Sequence, residues 1–212
     1  MSDAVTQALN RQCFCVTLKA GAMHDAIEAQ PAGAAVLALL EQRCPYVFAA
    51  SPVFLSARQS AQMGEVIAAI ESVIALPAYR ERVLADAPAI ARHDPGGPRG
   101  VFFGYDFHAH DDGLGLIEIN TNAGGAMLNT LLARAQKACC VEMGAYLDAF
   151  DTGQRFERDI AAMFAEEWRL ARGAQVLRTF AIVDEAPAGQ YLYPEFLLFQ
   201  QLFERQGWRT VI

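Results

Sequence analysis

Residues Val101–Asn129 read VFFGYDFHAHDDGLGLIEINTNAGGAMLN, and the reading of the 212-residue chain starts there. Two alternating runs, 101–110 and 114–120, flank Asp111-Asp112-Gly113. The stretch therefore predicts an antiparallel hairpin with a three-residue loop ending in glycine. That loop sets His110 opposite Leu114, His108 opposite Leu116, Asp106 opposite Glu118 and Gly104 opposite Asn120. Alternation then makes one face apolar, with Phe103, Tyr105, Phe107, Ile117 and Ile119 expected to meet the core. The other face presents Asp106, Glu118 and Asn120 together, beside a glycine that takes up no room.

Two carboxylates directly opposite on a sheet repel one another, and a divalent cation between them would reverse the sign of that term. Carboxylate and carboxamide oxygens are hard ligands suited to Mg²⁺, which shares its remaining positions with phosphate. The same face would also serve as the solvated side of an ordinary hairpin. Asn122-Ala123-Gly124-Gly125 then leads into a helical run expected over Ala126–Phe150. A glycine-containing turn at a helix N-terminus offers N–H groups to a phosphate or carboxylate.

On these residues the chain resembles a known family. Glu118-Ile119-Asn120 before a small-residue turn looks like the Glu-x-Asn magnesium strand of ATP-grasp ligases. An aspartate twelve residues earlier, Asp106, makes the stretch similar to the circularly permuted synthetase domain of glutathionylspermidine synthase. The resemblance implies Asp106, Glu118 and Asn120 as Mg²⁺ ligands and ATP as the nucleotide. It also implies phosphate or substrate contacts from Asn122, Gly124 and Gly125; separately, His108 and His110 read as polar neighbours of the acidic face, with His108 expected as a substrate contact. The family carries a phosphate-binding arginine two residues before the aspartate. This chain has Gly104 there, and Arg99 is the cation expected to stand in. The implied chemistry is amide formation between a small-molecule carboxylate and an amine.

Composition bounds the alternatives. An apolar fraction of 53% with 19% charged residues belongs to a globular chain with a sizeable core. A net charge of −7 without a basic run argues against nucleic acid as a partner. No signal-type N-terminus or run long enough for a bilayer is evident, so the expectation is a cytoplasmic chain without membrane contact. The five cysteines, Cys13, Cys15, Cys44, Cys139 and Cys140, lack CxxC spacing and are expected as reduced, mostly buried thiols.

Along the chain, Cys13–Leu18 is a candidate strand and His24–Leu40 helical material broken at Pro31. Pro45–Leu55 reads as an edge strand. Ser56-Ala57-Arg58-Gln59 is a capping box that opens a helix with Met63, Val66, Ile67, Ile70, Val73 and Ile74 on its core face. Helix is expected again from Tyr79 and over Phe156–Arg172. Thr179–Val183, Tyr191–Gln206 and Trp208–Ile212 form a parallel βαβ unit. Asp184-Glu185 ends its first strand, where α/β sheets place ligand contacts, but two solvated loop acids are the better reading.

The expected fold class is α/β: 1–175 a helical and hairpin part of ATP-grasp type, and 176–212 the start of a pre-ATP-grasp unit. A two-stranded parallel sheet buries little, so a further C-terminal segment or self-association is expected to complete it. With only Lys19 and Lys137 as lysines, the nucleotide clamps are expected outside these residues. Asp106-Phe107-His108-Ala109-His110 also resembles the H-x-H strand of metal-dependent hydrolases, yet His24 and His93 are the only other histidines to fill such a shell. The remaining alternative is a non-catalytic fragment that binds a ligand or partner.

Overall fold

A computed structural model describes residues 2–12, 16–18, 25, 27–29, 33–49, 53–110, 113–138 and 152–212. His24, Pro31, Lys19, Asp111, Asp112, Cys13, Cys15, Cys139 and Cys140 lie outside them. The described residues are mixed α/β, with three two-stranded sheets. They divide into two compact units: Met1–Gln12 with Val53–Asn122, and Cys13–Pro52 with Ala123–Ile212.

The first, the hairpin unit, opens with α1 (Asp3–Gln12). The Asn10 carboxamide reads both backbone groups of Phe54, donating to its carbonyl at 2.9 Å and accepting its N–H at 2.8 Å. The stretch expected as an edge strand, Pro45–Leu55, forms none among its described residues, consistent with its two prolines. The capping box is present. Ser56 Oγ accepts from the Gln59 N–H at 3.1 Å, and Gln59 Oε1 accepts from the Ser56 N–H at 3.0 Å. It starts α3 (Ala57–Ile74), and Pro77 at the first turn starts α4 (Pro77–Leu84), bent 71° from α3. Arg92 closes α4, donating to the Leu84 and Ala85 carbonyls at 3.0 and 2.7 Å. The hairpin follows as β2 (Gly104–Ala109) and β3 (Leu114–Asn120).

One expectation about this unit holds only in part. The apolar stripe of α3 is covered only in part: Met63, Val66, Ile67 and Ile70 are half-buried, Val73 and Ile74 are exposed, and no residue of α3 is fully buried. On the hairpin, Phe103 is 49% and Ile117 54% exposed. The period-2 and period-3.6 patterns identify which side chains share a face, but burial also needs an opposing apolar layer.

The second, the helical unit, holds the core. Its elements are β1 (Val16–Leu18), α2 (Gly33–Arg43), α5 (Ala126–Ala135), β4 (Gln136–Ala138), α6 (Thr152–Arg172), β5 (Thr179–Ala181), α7 (Tyr193–Arg205) and β6 (Arg209–Val211). Val36, Leu40, Leu131, Ile160, Leu198 and Leu202 are buried there. The helix expected over Ala126–Phe150 stops at Ala135, because 136–138 pairs antiparallel with 16–18 as strand β4. The βαβ unit forms as expected, with β5 and β6 parallel and Pro194 tolerated in the first turn of α7. Phe180 of β5 stacks on Phe203 of α7 at 4.2 Å and meets Phe164 of α6 edge-on at 5.5 Å, which ties the sheet to both helices.

Cys44 is a free, buried thiol whose Sγ donates to the Tyr191 carbonyl at 3.0 Å. Burial pushes its pKa up, so it is an inert packing residue. Arg43 donates to the Ala188 carbonyl from the same helix end. Among the described residues no single helix is long and apolar enough to cross a membrane.

Candidate functional site

The hairpin register brings together the oxygens singled out by sequence. Asp106 pairs with Glu118 and Gly104 with Asn120. Residues directly opposite on antiparallel strands point to one face, so the two carboxylates stand side by side. The Asn120 side-chain N–H₂ donates to Glu118 Oε1 at 3.0 Å, which leaves the Asn120 carbonyl oxygen as an acceptor. Asp106, Glu118 and Asn120 are all exposed.

The register then changes. Past Asp106, Phe107 pairs with Leu116, His108 with Gly115 and Ala109 with Leu114. The expected partners of His108 and His110, Leu116 and Leu114, are thus each displaced by one. Ile117 is the extra residue of a β-bulge immediately beside the Asp106–Glu118 pair. A bulge bends its strand and sharpens the local twist, re-aiming the side chains next to it. A period of two cannot reveal one inserted residue, so this feature was invisible in the sequence. Upstream, Phe102 takes φ 47°, a left-handed conformation that a bulky side chain adopts only at a cost. It stands two residues before the hairpin pairs begin.

The donor set fits Mg²⁺ by chemistry, with two carboxylates, one carboxamide oxygen and a glycine opposite that leaves space. Among the described residues no three His, Cys, Asp or Glu side chains gather closely enough to hold a metal by themselves. Phosphate or water would have to supply the rest of the shell, as Mg²⁺ usually demands. His108 is exposed on β2, and Arg99, in the loop before it, is engaged with a neighbour of its own.

The glycine turn belongs to the helical unit, where Gly124 and Gly125 precede α5. A carboxylate does meet the N-terminus of that helix, and it comes from the chain itself. Glu195 of α7, 2% exposed, accepts from the Gly125 N–H at 2.6 Å through Oε2 and from the Met127 N–H at 2.8 Å through Oε1. Burial raises its pKa, and the amides of Gly125, Met127 and Leu128 oppose that rise without cancelling it. A Cβ on Gly124 would lie 2.7 Å from Leu192 Cδ1 and 3.4 Å from Glu195 Oε2, so a side chain there requires the Leu192 methyl to move aside. Gly125, at φ 96°, needs glycine for its backbone instead. Sequence reasoning passed over Glu195. The signal was there as a single acid inside the apolar run YLYPEFLLF, Tyr191–Phe199.

After β5, Asp184 Oδ1 accepts from the Glu185 N–H at 2.7 Å, and Gln190 donates to the Glu185 carbonyl at 2.6 Å. These bonds close the loop on itself. No protein-family model, curated protein or solved structure matches the chain.

Proposed function

We propose that the chain is part of an ATP- and Mg²⁺-dependent carboxylate–amine ligase of ATP-grasp type, to which it contributes the metal and substrate residues. The supporting observation is the pairing of Asp106 with Glu118 and of Gly104 with Asn120 in one hairpin. A substrate carboxylate takes the γ-phosphoryl group of ATP, releasing ADP. The nitrogen of an amine then attacks the acyl carbon, expels phosphate and loses a proton, which forms the amide.

Asp106, Glu118 and the Asn120 carbonyl oxygen would hold Mg²⁺, which when bound neutralises charge on the transferred phosphoryl group. Asp106 and Glu118 also fix where that charge is met, because their strands are paired before any ligand arrives. His108 contacts substrate from the same strand, and Arg99 supplies the positive charge that Gly104 cannot. Glu195 already engages the Gly125 and Met127 N–H groups, so a phosphate role for the helical unit's glycine turn falls on Gly124. Asn122 contributes from the end of the hairpin unit. The small C-terminal α/β unit is read as pre-ATP-grasp in type.

The test is phosphate release from ATP that depends on Mg²⁺ and on carboxylate and amine together. Glu118→Gln abolishes it with the far-UV circular dichroism unchanged. A variant with full turnover would remove Glu118 from the site.

A second reading is favoured by one observation. Phe103, Ile117, Leu76 and Val83 of the hairpin unit are each about half exposed. Apolar surface of that kind suits a non-catalytic chain that docks a partner. Mg²⁺ affinity that ATP does not change would favour this reading over the ligase.

A further inference from the structure

The ligase reading makes no use of His110, and of His108 only as a substrate contact. We propose that His108 and His110 together form a second site, a two-imidazole chelate for a first-row transition-metal dication such as Cu²⁺, Ni²⁺ or Zn²⁺. Residues two apart on a strand point to the same face. The His110 N–H still donates across the hairpin to the Gly113 carbonyl at 2.8 Å, which keeps His110 in line with β2. Both side chains are exposed, with ring centroids 5.6 Å apart and ring planes 27° from parallel, so the imidazoles are stacked rather than convergent. Imidazoles bound to one tetrahedral zinc ion at about 2.0–2.1 Å hold their centroids roughly 5 Å apart. The observed spacing is therefore close to that of a shared ion. Rotation about χ2, which is soft for histidine, is the adjustment needed to aim both nitrogens at it.

The approach is open. The residue paired with His108 is Gly115, and a Cβ built there would meet nothing within 4 Å. The bulge at Ile117 produces this pairing, since the uninterrupted register would have set Leu116 against His108. Donor type separates the two sites: imidazole nitrogen selects copper, nickel and zinc, while the oxygens of Asp106, Glu118 and Asn120 select magnesium. Among the described residues no third His, Cys, Asp or Glu completes the shell, so its other positions are left to water or an added ligand. Such a site is open and exchangeable rather than structural. It stands whether or not the chain belongs to a ligase.

The experiment is calorimetric titration of NiCl₂ and ZnCl₂ into the untagged chain. One ion binds per chain, and a hundredfold excess of MgCl₂ does not displace it. Losing a hydrogen-bond partner of a metal ligand typically costs about 10–100-fold in affinity, so losing one of two ligands in His108→Ala or His110→Ala weakens binding at least about tenfold. His93→Ala, which removes another exposed histidine of the same unit, stays within about twofold. His108→Asn and His110→Asn repeat the measurement with polar replacements should an alanine variant fold poorly. Full affinity in the double variant, a loss equal to that of His93→Ala, or displacement by Mg²⁺ would each overturn the proposal.

Discussion

The two units of this chain differ in where their apolar side chains go. In the helical unit, Leu131, Val36 and Leu202 are at most 2% exposed, and aromatic contacts of Phe180 bind β5 to two helices. In the hairpin unit, the only buried side chains among the described residues are Thr6 and Ser56. That unit is held by a capping box, a carboxamide reading one backbone residue, and the Arg58–Asp3 pair, where Ser56 and Arg58 lower the Asp3 pKa. The candidate metal residues sit on the unit without a core. Opposed carboxylates cost little on an exposed hairpin in water and would be prohibitive in an apolar interior.

The largest effect that could break this contrast is in packing. Leu131→Ala, in the core of the helical unit, lowers stability by about 2–5 kcal/mol. Ile117→Ala, on the exposed apolar face of the hairpin, stays within roughly 0.5 kcal/mol. Denaturant melts of both variants measure the difference, and equal losses would mean that the hairpin face is packed after all.

Next in size is the charge buried in the helical unit. Glu195→Gln sets an amide N–H₂ against one of two backbone donors and costs about 1–3 kcal/mol at neutral pH. The pH dependence carries a sign. Because the folded pKa of Glu195 is raised above its ordinary 4.5, its stabilising contribution is fully present below that value and is lost as pH rises through the folded pKa. The gap between wild type and variant therefore widens on acidification and narrows toward neutrality. A gap that widens with rising pH would show the three amides outweighing burial.

The smallest effect sharpens the contrast from the other side. Glu118→Gln removes one of two opposed exposed charges, so stability without metal holds or rises by a few tenths of a kcal/mol at low salt. A loss above 1 kcal/mol would make Glu118 a structural residue, as Glu195 is.

Local signals were legible and distant partners were not. The Asp106–Glu118 pairing could be read because two alternating runs meet at a short loop, and Ser56 with Gln59 because a capping box lies within four residues. The end of α5 at Ala135 could not, since 136–138 becomes strand only through pairing with 16–18. The same holds for Glu195, whose amide partners lie some seventy residues away, and for α1, whose register is held by Phe54 and Arg58. On the acidic face of the hairpin, alternation located the oxygens but could not show the bulge that moves His108 from Leu116 to Gly115.

The β1–β4 pair has a consequence for how the chain is made. Val16 cannot find Ala138 until the whole of 53–122 has been synthesised, so this sheet closes one of the longest loops in the molecule and closes it late. The hairpin, by contrast, joins neighbours in sequence and can form as soon as it emerges. On a ribosome, the hairpin can pair first, and the part with the core is completed only after Ala123–Ile212 arrives.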